Sequence, residues 1–150
     1  MSLELKKLTP EEWGFLSQSA IKYSLGFYWP KEKNRVSYAL IVEENETGNI
    51  MCYSTIIELD SESVYMQHGG NFPAAQGSIL TTKGYLMMIN YLREHYKSVS
   101  TRIWNKNKRM LKLAWAGGFV IQGMDIATDK GIMLIHELDM GKDEIRTSAE

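Results

Sequence analysis

The alternation of apolar and polar positions along the chain predicts short strands interrupted by three helices. The strand-like runs lie at 3–8, 36–43, 50–59, 64–68, 99–104, 119–127 and 132–138. The helical patterns run from Pro10 to about Tyr23, from Ile79 to Tyr96 and from Asn107 to Ala116. The resulting order, β-α-β-β-β-α-β-α-β-β, predicts an α/β fold in which helices pack on the faces of a mixed sheet.

Local signals mark several of the element boundaries. Thr9, Pro10 and Glu12 form a capping box with proline at the first helical position, which predicts the start of the first helix. The pair Gly117-Gly118 predicts the end of the third helix. The strand that begins at residue 64 is predicted to end at residue 68, because the chain then becomes rich in glycine and proline.

Length and composition favour one soluble domain. We place a single domain at 1–140 and a polar tail at 141–150 of the 150 residues. The 17 basic and 18 acidic residues give a net charge of -1, so no nucleic-acid partner is expected. The chain has no apolar run of about 18 residues and no signal-peptide core, which favours a cytoplasmic protein without a membrane contact. The single Cys52 excludes an internal disulfide and is expected to be a small buried hydrophobe.

The small residues before the second helix form a candidate phosphate site. Residues 74–78 read Ala-Ala-Gln-Gly-Ser and lead into the helix at Ile79. Unpaired backbone N–H groups at a helix start attract anions, and small side chains let a ligand approach the backbone. The chain has neither a Walker lysine pattern nor GxGxxG, so a plain strand-to-helix loop is the alternative at this point.

The segment 99–119 carries the most specific pattern in the chain. A strand ends at Trp104, Asn107 starts a short helix, and Gly118 lies eleven residues after that asparagine, followed by Phe119. Together with the element order, this segment resembles the GNAT superfamily of acyl-CoA-dependent N-acyltransferases. The resemblance implies a GNAT-like fold in which an acyl-CoA, expected to be acetyl-CoA, is bound between two splayed strands.

The same resemblance implies a set of site residues. The pyrophosphate is expected on the backbone amides of Gln76, Gly77 and Ser78, and Asn107 is expected to contact the cofactor arm. His68 ends the strand before the loop, where the family commonly places its general base. An ordinary pKa near 6.5 suits a histidine for taking a proton from an amine. A loop histidine beside glycines is the alternative.

A basic cluster surrounds the start of the third helix. It consists of Lys106, Lys108, Arg109 and Lys112. Lys108 and its neighbours are expected to meet the 3′-phosphate of a CoA-type ligand, because an anion relieves cationic charge at a helix start. A solvated helix face is the alternative, and no metal site is predicted.

Two positions depart from the family pattern. Residues 76–81 do not follow the family's Gln/Arg-x-x-Gly-x-Gly/Ala loop, and Ala114 stands where the family often has a tyrosine as general acid. This degenerate pattern, and the stretch 94–107, resemble small GNAT-like proteins of tailed bacteriophages. The departures lower the expectation of turnover more than the expectation of the fold.

The sequence therefore supports functions from different classes. One is an N-acetyltransferase that moves an acetyl group from acetyl-CoA to an amine of a small molecule or a protein. Its rival is a catalytically degenerate phage virion or head-assembly protein, with phage structural proteins as partners, found in the host cytoplasm or the virion. A third is an interaction module that uses the aromatic residues 27–29. A homodimer paired through the apolar final strand is also expected.

Overall fold

The computed structural model describes residues 2–23, 36–72, 79–127 and 131–140. In chain order the elements are β1 (Leu3–Leu8), α1 (Pro10–Tyr23), β2 (Tyr38–Glu44), β3 (Ile50–Glu58), β4 (Ser63–Asn71), α2 (Ile79–His95), β5 (Ser98–Trp104), α3 (Lys108–Ala116), β6 (Phe119–Ala127) and β7 (Gly131–Leu138). Within the described ranges this order confirms the predicted α/β arrangement. None of these helices is long and apolar enough to cross a membrane.

All seven described strands lie in one sheet with the order β1-β2-β3-β4-β5-β7-β6. Neighbouring strands are antiparallel except β4 and β5, which run parallel. The chain turns back at Gly131 (φ 107°), and β7 inserts between β5 and β6. The expectation that a second copy pairs with the final strand is therefore wrong, because both edges of β7 are already paired and β6 forms the outer edge. A homodimer through another surface stays a prediction.

Strand β4 is longer than predicted, because it contains two glycines that the sequence predicts to begin a loop. Gly69 and Gly70 pair with Ser54 and Tyr53 of β3. A Cβ atom at position 69 would lie 3.1 Å from the Tyr53 carbonyl oxygen. The glycine thus permits a close approach between two strands, which is a recurrent reason for glycine inside a sheet.

The parallel pair is short and opens toward the carboxyl ends of its strands. Residues 63–66 of β4 pair with 98–101 of β5, and beyond them no described residue of either strand pairs with the other strand. The register of β4 against β3 shifts at Gln67, and such a bulge bends a strand. At the branch point the Thr101 hydroxyl donates to the Met66 carbonyl at 3.0 Å. A cleft therefore separates β4 from β5 above Thr101.

The core lies on both faces of the sheet. On one face α2 buries Tyr85, Met88, Ile89 and Leu92 against a cluster that includes residues of β2, β4 and β5. On the other face Trp13 of α1 stacks on a tyrosine of β3, with ring centroids 4.9 Å apart. Because β2 is covered on both sides, its sequence is nearly continuously apolar. The helices α1 and α2 thus cover opposite faces of the sheet.

Gly84 lies inside α2 and faces β3, where a Cβ atom would come within 2.6 Å of the Cys52 Sγ atom. Replacing glycine by alanine inside a helix normally stabilises it by about 1 kcal/mol. Here we expect Gly84→Ala to destabilise the protein, because the Cys52 side chain is only 2 % exposed. The double variant Gly84→Ala/Cys52→Ala should tolerate the new methyl group. Urea unfolding of the four proteins in this cycle measures the coupling, and an equal cost of Gly84→Ala in both backgrounds would contradict the contact.

Candidate functional site

A cavity of about 300 Å³ occupies the cleft between β4 and β5 and extends beneath α2 and α3. This volume is at the lower end of the roughly 300–1,000 Å³ that small-molecule sites occupy. It lies where the parallel register ends, next to the hydrogen bond between Thr101 and Met66. The cavity therefore exists because the two strands separate at this point.

Two strand edges form the floor of the cavity. Residues 67 and 69–71 of β4 and residues 102–104 of β5 line it. The opposite edge of β4 is paired with β3, and that of β5 is paired with β7. The edges that face the cleft therefore have no strand partner among the described residues. Such an edge can pair with an extended ligand through backbone hydrogen bonds.

Two helices form the upper walls. From α2 come Thr81, Tyr85 and Met88, which share one helix face. From α3 and its N-cap come Asn107, Met110 and Leu113, which also share one face. The α3 wall is apolar beyond its N-cap, whereas the α2 wall carries two hydroxyl groups.

Tyr85 lines this cavity, and its hydroxyl group is buried. Its side chain is 8 % exposed, and its hydroxyl has no hydrogen-bond partner among the described residues. Burial raises the pKa of Tyr85 well above its usual value, so the hydroxyl keeps its proton at physiological pH. Since buried polar groups in folded proteins are nearly always hydrogen-bonded, this hydroxyl is an exception that no described residue satisfies.

The described cavity lining offers little acid–base chemistry. It contains no carboxylate and no imidazole among the described side chains, and its one charged member is Arg102. Arg102 forms an ion pair with Asp125 at 3.0 Å, where both side chains are about half exposed. Burial raises the pKa of Cys52, which also lines the cavity, to about 12. The thiol is therefore neutral and buried, as expected for a small hydrophobe.

The structure brings some predicted site residues to the cavity and leaves others apart. Asn107 lines it and also caps α3, because its Oδ1 accepts a hydrogen bond from the Met110 backbone N–H at 3.2 Å. Lys108 begins α3 and is exposed, outside the cavity lining. His68 lies in β4, where its backbone is opposite Thr55 of β3. Its two neighbours in the chain line the cavity.

Several expectations fall outside the described part of the chain. Gln76, Gly77 and Ser78 precede the first described residue of α2, Ile79. The aromatic residues 27–29 and the tail 141–150 also lie outside the described residues. In the part that is described, no three His, Cys, Asp or Glu side chains cluster in a way that could hold a metal ion.

Sequence reasoning missed two contributors to the site. Tyr85 lies on the apolar face of a helical pattern, which indicates a core residue, and its ring does pack in the core. Thr101 is the polar residue at the point where the strands separate, and a strand pattern gives no sign of where pairing ends. The only sequence signal near either was the run of glycines in β4, which marks a backbone that other groups approach.

Comparison with known proteins connects this geometry to one fold. No protein-family model matches the sequence, and no curated protein matches it. Among solved structures, spermidine/spermine N-acetyltransferase SpeG from Vibrio cholerae is similar, with a TM-score of 0.71, 14% identity and 96% of each chain covered. The ribosomal-protein-S18-alanine N-acetyltransferase from Escherichia coli has a TM-score of 0.71 and 12% identity, over 91% of this chain and 93% of its own.

A third similar structure was determined with a ligand. The NatC complex bound to Gag peptide and CoA has a TM-score of 0.67 and 14% identity, over 92% of this chain and 98% of that one. The chain therefore has the fold of the GNAT N-acyltransferases, which confirms the predicted fold class. These comparisons lend no support to the resemblance to bacteriophage proteins.

Proposed function

We propose that this protein is an N-acetyltransferase that uses acetyl-CoA as the donor and an amine as the acceptor. The observation that carries the proposal is the cleft: a parallel strand pair that separates after Met66 and Thr101 and leaves two strand edges facing a cavity. A fold by itself hosts many functions, so the proposal depends on this site.

The described groups fit the pantetheine arm of CoA. The arm is extended and carries amide groups, so it can pair with the edges of β4 and β5. Met88, Met110 and Leu113 provide apolar contacts. We propose that Asn107 contacts this arm.

The charged end of the donor is proposed to lie at the helix starts. We assign the pyrophosphate to the backbone amides of Gln76, Gly77 and Ser78, at the start of α2, where the helix dipole favours an anion. Lys108, exposed at the start of α3, is assigned to the 3′-phosphate.

The proposed chemistry is direct transfer. When bound, acetyl-CoA supplies a thioester whose carbonyl carbon is attacked by the amine nitrogen, and the sulfur departs with the electron pair of the C–S bond. We assign the removal of the amine proton to His68, directly or through a water molecule, because its neighbours Gln67 and Gly69 line the cavity. Histidine suits this task because its ordinary pKa lies closer to neutral pH than that of any other side chain.

The acceptor class is an amine of a small molecule or a protein, and we propose that the reaction takes place in the cytoplasm. The similar structures are named for spermidine and spermine in one case and for an alanine of a ribosomal protein in another. Both are amines presented to the same fold.

Titration with acetyl-CoA tests the proposal. A donor present at 100 times its Kd should raise the free energy of unfolding by about 2.7 kcal/mol, which a thermal shift or calorimetry detects. CoA and dephospho-CoA serve as the matched pair of ligands, because they differ only in the 3′-phosphate assigned to Lys108. The proposal fails if millimolar acetyl-CoA produces neither heat nor a shift in melting temperature.

One observation favours a second candidate, a phage virion or head-assembly protein that kept the fold and lost turnover. Ala114 is fully buried, and α3 presents Met110 and Leu113 to the cavity where the family often has a tyrosine. Absence of acetyl-CoA binding in the titration would favour this candidate, and acetylation of an amine would exclude it.

A further inference from the structure

A hydrogen bond between a tryptophan and a histidine joins the last turn of α3 to the sheet. The Trp115 indole Nε1–H donates to the Nε2 atom of His136 in β7 at 3.1 Å. His136 is fully buried, whereas Trp115 is 44 % exposed. Neither side chain lines the cavity, and the proposed chemistry uses neither of them. A buried histidine that is held in this way nevertheless affects the helix that forms one wall of the cleft.

The two partners of His136 define its protonation state. An indole N–H group can only donate, so the Nε2 atom of His136 is the acceptor and carries no proton. The Nδ1 atom lies 3.0 Å from the backbone carbonyl of Leu134, which can only accept, so Nδ1 carries the proton. His136 is therefore neutral. A second proton, on Nε2, would set two donors against each other and remove the hydrogen bond to Trp115.

This hydrogen bond restrains the side of α3 that faces away from the cavity. Met110 and Leu113 line the cavity, and with 3.6 residues per turn Trp115 lies about 140–160° around the helix from them. Between these two sides, α3 buries Leu111 and Ala114 against the core. Two small contacts of this kind hold the helix on the sheet but do not prevent it from rotating about its axis. Because a rotation would shift Met110 and Leu113 relative to the cleft, the bond from Trp115 keeps this wall in place.

We propose that the hydrogen bond from Trp115 to His136 positions α3 beside the cleft, and that protonation of His136 releases the helix and weakens binding of the acyl donor. This role rests on the proposed function, because the cleft that α3 lines is the one assigned to the donor. Trp115 and His136 are positioning residues in this proposal, since they act through Met110 and Leu113.

The surroundings of His136 determine the pH at which the bond is lost. Burial lowers the pKa of His136 below its ordinary value near 6.5, although the hydrogen bond to the Leu134 carbonyl acts in the opposite direction. The residues opposite His136 in β5 and β6 are Thr101 and Ile121, which carry no charge. Since the folded protein favours the neutral imidazole, the bond is complete above about pH 6.5 and is lost as the pH falls below that value.

The charged side chains of the surrounding elements do not favour a second proton. Arg93 of α2 is directed to the end of α3, where its guanidinium donates to the Gly117 carbonyl. The other charged residues of these two helices are exposed: Lys83, Glu94 and His95 of α2, and Lys108, Arg109 and Lys112 of α3. Strand alternation places Arg102, Asp125 and Glu137 on the opposite face of the sheet, and Asp139 lies beyond the end of β7.

Trp115→Phe tests the positioning role, because it keeps an aromatic ring at a partly exposed site and removes only the donor. We expect its Kd for acetyl-CoA, measured by calorimetry at about pH 7.5, to be about fivefold higher than that of the wild type. Trp13→Phe is the matched control. It removes the same N–H group from α1, on the other face of the sheet, where that group has no partner among the described residues. Equal Kd values in Trp115→Phe and the wild type would overturn the link between this bond and the cleft.

His136→Gln tests the pH dependence, because a glutamine amide oxygen can accept the Trp115 N–H group and does not titrate. Between about pH 7.5 and about pH 5.5, the rise in Kd should be about fivefold greater in the wild type than in His136→Gln. The phosphates of the ligand titrate in both proteins alike, so the comparison isolates the histidine. Trp115→Phe, which has no such bond to lose, should behave as His136→Gln does in this comparison. The same rise in all three proteins would overturn the pH dependence.

The indole N–H resonance of Trp115 in the unliganded protein gives an independent measurement. In isotope-labelled protein it should shift with the same midpoint as the His136 imidazole, below about pH 6.5, and it should stay fixed in His136→Gln. A Trp115 resonance that does not follow His136 would overturn the release of the helix. A wild-type protein that binds no acetyl-CoA at either pH would instead overturn the proposed function, whereas the indole resonance would still report on the hydrogen bond itself.

Discussion

Met110→Trp is expected to abolish binding of CoA while leaving the protein folded. Met110 lines the cavity from the first turn of α3 and is only partly buried, so a larger ring can be accommodated toward solvent. Part of the indole still extends into the cavity of about 300 Å³ that Met110 lines and takes up space the donor needs. The stabilisation of about 2.7 kcal/mol expected at 100 times the Kd should then disappear.

Ala116→Trp provides the control for this variant. Ala116 lies on the same helix and is exposed, and it does not line the cavity. It introduces the same side chain without blocking the cleft, so its thermal shift with acetyl-CoA should equal that of the wild type. Retained binding in Met110→Trp, measured by calorimetry, would mean that the donor lies elsewhere.

Gly118→Ala is expected to produce the largest loss of stability among glycine substitutions in the described turns. Gly118 has φ 101°, and a Cβ atom there would lie 2.7 Å from the Arg93 Nη2 atom. That same guanidinium donates to the Gly117 carbonyl at 2.7 Å, so it cannot move without losing this hydrogen bond. The substitution should therefore introduce backbone strain of about 1–2 kcal/mol and weaken a charged hydrogen bond worth about 1.5–3 kcal/mol.

Gly48→Ala separates the two contributions to this loss. Gly48 also has a positive φ, 73°, but a Cβ atom there meets nothing within 4 Å. Its substitution should therefore cost only the backbone strain, about 1–2 kcal/mol. Urea unfolding of both variants measures the difference, and equal losses would show that Arg93 yields without cost.

The local elements of this fold follow from local signals, and its pairings do not. Asn107 and Gly117-Gly118 predict both ends of α3, because caps act within a few residues. The glycines of β4 predict a loop when read alone, since their strand character depends on β3, which lies far away in sequence. The insertion of β7 between β5 and β6 likewise depends on partners that no short window contains.

The candidate site divides in the same way. The resemblance to GNAT proteins predicts that Asn107 contacts the cofactor. In the structure, Asn107 lines the cavity. The cavity itself depends on where the pairing of β4 with β5 ends, after Met66 and Thr101. A sequence states which side chains a strand carries, whereas the end of its pairing is a property of the folded sheet. The proposed contacts of His68, Gln76, Gly77, Ser78, Asn107 and Lys108 stay predictions.

Four residue pairs join β4 to β5, so a short stretch of strand pairing connects the two halves of the sheet. One half contains β1 to β4 and the other contains β5, β7 and β6. An extended ligand in the cleft would add backbone hydrogen bonds between the two halves beyond this short seam of pairing. Ligand binding is then coupled to the cooperativity of the whole sheet, and backbone amides on both sides of the seam, far from any reacting atom, would gain protection together.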